Sequence, residues 1–148
     1  MKTENRIPGI LAALSLNAAI ILSAAEEKVD GPKGGRLLEN ESPRAEFFVE
    51  KDRTVTITFY DQNLKPVPPG EHVVTAVAET KKGKEKLEFE KKGGALASRL
   101  PLPEGDGYTI VVQIKARPDA KVQNFRIKYD TSTCRKCRRA EYACICDE

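Results

Sequence analysis

The sequence predicts an all-β domain, an antiparallel sandwich of immunoglobulin-like type, and three observations predict it. Short segments alternate apolar and polar side chains with a period of two, as in Thr54-Val55-Thr56-Ile57-Thr58-Phe59. Gly and Pro clusters cut the chain into about seven or eight such segments at the regular spacing typical of sandwiches and small barrels. No helical period appears after the first 25 residues. There is no Cys pair inside the β-rich stretch, so the sandwich has no disulfide between its sheets. A small β-barrel is the alternative architecture.

Each element follows from local pattern. Asp30-Gly31-Pro32-Lys33-Gly34-Gly35 is a polar, Gly-rich lead-in. A first strand begins at Arg36-Leu37-Leu38 and is broken by Asn40-Glu41-Ser42-Pro43. Ala45 to Val49 and Thr54 to Phe59 form a pair of strands joined at Lys51-Asp52-Arg53. Pro66, Pro68, Pro69 and Gly70 make a stiff loop that cannot be a central strand, because proline lacks the ladder N–H. Strands are then expected over His72 to Thr80, Lys86 to Glu90, Ala95 to Leu100, Tyr108 to Ala116 and Val122 to Tyr129. The turns between them carry Lys81-Lys82-Gly83-Lys84, Lys91-Lys92-Gly93-Gly94, Gly105-Asp106-Gly107 and Pro118-Asp119-Ala120.

The N-terminus reads as an export signal. Lys2 and Arg6 precede an apolar run from Ile7 to Ala25, which closes on the small residues Ser23-Ala24-Ala25 before the polar Glu26-Glu27-Lys28. This is the pattern of a segment removed after Ala24 or Ala25, giving a periplasmic or secreted chain. An uncleaved membrane anchor is the alternative, although Pro8, Ser15, Asn17 and Ser23 weaken the run as a span. The expected organisation is a signal over 1–25, a lead-in over 26–35, the β-domain over 36–130 and a Cys-rich tail over 131–148.

Charge excludes some partners. The 25 basic and 22 acidic residues give a formal net charge of +3 and alternate along the chain. That is the signature of a solvated mixed surface and not of a nucleic-acid binder. His72 is the only histidine, which leaves hydrolytic triads without support. The only Met is Met1, so removal of the signal excludes a thioether copper site. The carboxylates Glu39, Glu41, Glu46, Glu50, Asp52, Glu88, Glu90, Glu104 and Asp106 read as solvated charges on strand faces and turns.

Chemistry concentrates in the tail. All four cysteines lie in Cys134-Arg-Lys-Cys137 and Cys144-Ile-Cys146. A C-x2-C turn aims two thiolates at one cation, and a second pair close behind completes a four-sulfur shell suited to zinc. Arg135, Lys136, Arg138 and Arg139 would offset the charge of such a shell, and Tyr142 and Ile145 would cover it. The same even cysteine count in an exported chain also fits two disulfides, cross-paired between the halves because a bond within C-x-C is strained. A redox dithiol at Cys134 and Cys137 is a third reading, without a thioredoxin-like βαβ context.

Gly31-Pro32-Lys33-Gly34-Gly35-Arg36-Leu37-Leu38, Ala45-Glu46-Phe47, and Phe59-Tyr60-Asp61 with Lys65-Pro66-Val67 together carry a likeness. They resemble the small periplasmic β-sandwich domain that opens on Gly-Pro-His-Gly-Gly. That domain stands at the N-terminus of some periplasmic adaptor subunits of heavy-metal efflux pumps and occurs as stand-alone exported proteins. The resemblance implies a β-sandwich in the periplasm, near metal handling. Lys33 stands where that motif has His, so no ligand role carries over to it. The chain also has no room for an adaptor's hairpin, lipoyl and barrel domains.

The expected protein is therefore a non-enzymatic binding or accessory protein of the cell envelope. It would have a protein partner there and would hold zinc or a similar divalent ion on Cys134, Cys137, Cys144 and Cys146. Membrane contact would come only through a retained signal segment. The alternative is a structural or interaction module with a disulfide-stapled tail.

Overall fold

The computed structural model describes residues 29–38 and 43–146. The expected signal over 1–25, and Glu39 and Glu41, lie outside them. Nine strands follow in chain order: β1 Arg36–Leu38, β2 Arg44–Val49, β3 Val55–Tyr60, β4 Pro66–Val67, β5 Val73–Thr80, β6 Gly83–Lys92, β7 Ala95–Ser98, β8 Tyr108–Lys115 and β9 Gln123–Tyr129. One 3₁₀ turn, Glu141–Ala143, completes the described elements.

Every pairing is antiparallel, and the strands follow one path, β1-β2-β3-β7-β6-β5-β8-β9, with β4 hanging on β3. The sheet curls until it is nearly closed into a barrel. The all-β expectation holds. The strand path fits the barrel alternative, and nothing in it singles out an immunoglobulin-like arrangement.

The reason lies in β6. Its first half pairs with β5, from Thr80↔Gly83 to Thr75↔Glu88, and its second half pairs with β7, from Phe89↔Ser98 to Lys92↔Ala95. One strand thus belongs to both halves of the sheet, and no break separates two layers. The strand is longer than its lysine-rich ends predicted. Lysine side chains stand out into water while Leu87 and Phe89 turn inward, so the turns shrink to Lys81-Lys82 and Gly93-Gly94. Gly93 supplies the left-handed φ of 59° that the second turn requires.

The core follows the alternation. Tyr108, Ile110, Val112 and Ile114 of β8 point inward with the residues between them half-exposed. Val55, Ile57 and Phe59 of β3 do the same, against Phe47 and the small Ala76 and Ala78. Pro66 and Val67 pair only with the end of β3, an edge position where a missing N–H is tolerated.

Strand β2 departs from the alternation: Ala45, Glu46 and Phe47 are all buried. Glu46, read above as a solvated charge, is fully enclosed. The loop 31–35 folds over its outer face. The Lys33 N–H donates to Glu46 Oε1 and Oε2 at 3.0 and 3.2 Å, and the Gly35 N–H donates to Oε1 at 2.8 Å. The Tyr60 hydroxyl donates to Oε2 at 2.7 Å. All these contacts come from donors, which is what a carboxylate, with acceptors only, can use. Glycine is needed for the cover: a Cβ on Gly31 would overlap the Glu46 carboxylate, and one on Gly35 the Phe47 carbonyl. Burial, then the Glu46 bond, pushes the Tyr60 phenol well above its ordinary range.

Candidate metal centre

The two cysteine pairs reach one point by different local geometries. Thr133 bridges Ala140 in antiparallel fashion, and the Cys134 N–H donates to the Arg139 carbonyl at 2.8 Å. Within that small loop the Arg138 N–H donates back to the Cys134 carbonyl at 2.9 Å, with Arg138 at a left-handed φ of 60°. The chain therefore curls through Arg135–Cys137 and turns both Cys134 and Cys137 to one side. The second pair begins in extended backbone, with Cys144 at φ −67° and ψ 135°. Alternate residues of an extended chain share a face, and the Cys144 and Cys146 sulfurs of C-x-C lie together in the cluster. The shorter spacing of the second pair is thus suited to its conformation.

The four Sγ atoms all lie within 4.8 Å of one another. Cys137 and Cys144 are 3.7 Å apart, and Cys134 and Cys146 are 4.0 Å apart. Sulfurs at about 2.3 Å around a tetrahedral zinc have edges of roughly 3.8 Å. None of the four sulfurs is bonded to another in this structure. Donor set, count and spacing therefore fit a four-coordinate soft cation, with Cys134 buried and the other three half-buried. A closed shell of this kind leaves no position for substrate.

Main-chain N–H groups tune the sulfurs. The Arg139 N–H leads in bringing the Cys137 thiol down to about 7, helped by the Cys134 and Cys144 side chains and by the Ile145 N–H, against partial burial. Cys144 moves up to about 12: the Cys146 N–H, 3.4 Å from its sulfur, pulls it down, but the neighbouring thiols and loss of solvent outweigh that bond. Loss of solvent, then proximity to Cys137, raises Cys146. Crowded thiols resist ionising together, and a bound cation removes that conflict.

The surroundings only partly match the sequence reading. Arg135, Lys136 and Arg138 are exposed on the loop. Arg139 turns back instead, its Nη2 3.0 Å from Asp30, and its buried Nη1 has no hydrogen-bond partner among the described residues. Ile145 stays half-buried, but Tyr142 is far more than a cover. It lies in the core, with its ring centroid 6.0 Å from that of Phe47 and 5.6 Å from that of Tyr129. Its hydroxyl accepts the Val49 N–H at 3.2 Å. Sequence reasoning missed this role, because a single Tyr outside any alternating segment gives no inward signal. Burial, chiefly, raises its phenol pKa.

Other candidates are explained as structure. Lys33 Nζ pairs with Glu50 at 3.0 Å and sits over the Phe48 ring. His72 closes the Pro-Pro-Gly turn through Pro69, its N–H donating at 3.0 Å and Nδ1 lying at 2.8 Å, and packs on Phe59. Asp106 accepts the N–H and hydroxyl of Thr131, joining the start of β8 to the tail.

No protein-family model matches the chain, and neither a curated protein nor a solved structure matches it.

Proposed function

We propose that the chain is an exported, non-enzymatic binding or accessory protein whose tail holds Zn²⁺ or a similar soft divalent cation on Cys134, Cys137, Cys144 and Cys146. The observation that carries this reading is the convergence of the four Sγ atoms within 4.8 Å. The ion is structural: four thiolates fill its shell, and the knot presents Arg135, Lys136 and Arg138 to a partner of the cell envelope. Export rests on the apolar segment 7–25, and the link to metal handling rests on the likeness to efflux-associated domains, including their immunoglobulin-like sandwich.

The test is metal analysis with thiol titration of the chain, purified without reductant. The expected result is about one zinc per chain, with the four thiols reactive in denaturant only after chelation. Cys134→Ser is expected to lower zinc affinity at least about a hundredfold, since a lost ligand exceeds the effect of a lost supporting contact. An absence of free thiols in denaturant without reductant would sink the metal reading.

A second reading, a structural or protein-interaction module stapled by disulfides, has one observation in its favour. Two close sulfur pairs, Cys137 with Cys144 at 3.7 Å and Cys134 with Cys146 at 4.0 Å, are cross-pairs between the halves. Peptide mapping would then find those two bonds.

A further inference from the structure

We propose that Tyr142 is a positioning residue that couples the metal centre to closure of the barrel, so that ion binding and sealing of the gap between β1 and β9 form one equilibrium. The inference rests on the metal reading above. β1 and β9 are the two ends of the strand path and do not pair with each other among the described residues. A groove of about 400 Å³ lies between them, lined by Leu37 and Leu38 on one side and Phe125 and Ile127 on the other, with Cys144 and Ile145 at its end.

The 3₁₀ turn touches both β1 and β9 and so bridges this gap. Tyr142 packs against Phe47 of β2 and Tyr129 of β9, and its hydroxyl holds the Val49 N–H at the end of β2. Its own N–H donates to the Asp130 carbonyl at 3.0 Å, just past β9. Ala143 beside it is almost fully enclosed. The ring therefore reaches both sides of the seam.

The turn also lies in the segment between the two ligand pairs. A cation joining Cys134 and Cys137 to Cys144 and Cys146 closes that segment into a short ring of chain. Closure removes conformations in which Tyr142 is out of its bed, because fixing loop ends costs entropy that the ion has already met. Coupling between two binding events is reciprocal. Whatever the ion contributes to holding Tyr142 in the core, the core returns as affinity for the ion. Losing the ion frees the turn, opens the seam and leaves the edges of β1 and β9 accessible to another strand.

The test uses the full chain, Zn²⁺ and a chelator. Chelation is expected to speed amide exchange of Val49 about tenfold or more, while Val112 in the middle of β8 stays protected. Tyr142→Ala is expected to weaken Zn²⁺ binding about tenfold with all four cysteines present, and Tyr142→Phe only a few-fold, since it loses the hydroxyl alone. If Tyr142→Ala does not fold, the exchange of the unaltered chain and the Tyr142→Phe affinity decide. Zn²⁺ bound one to one, with Val49 exchange and variant affinities unchanged, would overturn the coupling and leave the metal reading standing. Failure of the unaltered chain to bind Zn²⁺ would overturn both.

Discussion

Glu46 and the cysteine cluster are two points where polar side chains converge, and they differ in what remains unsatisfied. Around Glu46, two main-chain N–H groups and the Tyr60 hydroxyl all face one enclosed carboxylate. Every donor has its acceptor, glycine backbone seals the site, and no room is left for a ligand. Around the cysteines, four soft ligands face one another, and thiols are too weak as hydrogen-bonding groups to account for that convergence. A saturated network holds a fold together, whereas four sulfurs facing one another are compatible with a metal ion between them. The stretches 31–38, 45–47 and 59–61 supply the Gly31–Gly35 cover, Glu46 and Tyr60. They meet at the saturated point, and the cysteine tail stands outside them.

Breaking the first site should have the largest effect. Glu46→Ala would leave buried donors from Lys33, Gly35 and Tyr60 without their acceptor and open a cavity beneath the loop. A loss of about 3–5 kcal/mol is expected, measured by denaturant unfolding of the purified chain. Stability within about 1 kcal/mol of the parent would mean that the network does not hold the loop.

Acidity sharpens the contrast at the second site. Near neutral pH Cys144, up at about 12, and Cys146, also raised, hold protons that a cation must displace. Protons therefore compete with the metal, and affinity rises with pH. Competition against a chelator from about pH 6 to about pH 8 should show more than a tenfold gain per pH unit, because more than one proton leaves. A slope near zero would contradict a thiolate shell.

The smallest effect is expected on the exposed loop. Lys136→Ala removes a solvated charge near the cluster and touches no core residue. Stability should change by no more than about 0.5 kcal/mol, and zinc affinity by a few-fold at low salt, with the difference fading as salt is added.

The amino-acid sequence by itself determined the strands of β3, β5, β8 and β9, because alternation is a local property: a period of two forces one face inward whatever lies opposite. It also singled out the four cysteines, since a cysteine's chemistry and spacing are visible without a fold, and the structure brings their sulfurs together. Only the tertiary structure decided that Glu46 is enclosed, because its cover comes from a loop that no pattern in β2 announces. Only it decided that β6 serves both halves of one nearly closed sheet, because partner choice is non-local. And only it placed Tyr142 in the core, where the tail becomes part of the barrel: a lone aromatic acquires an inside when a Phe47 and a Tyr129 from distant strands are brought to meet it.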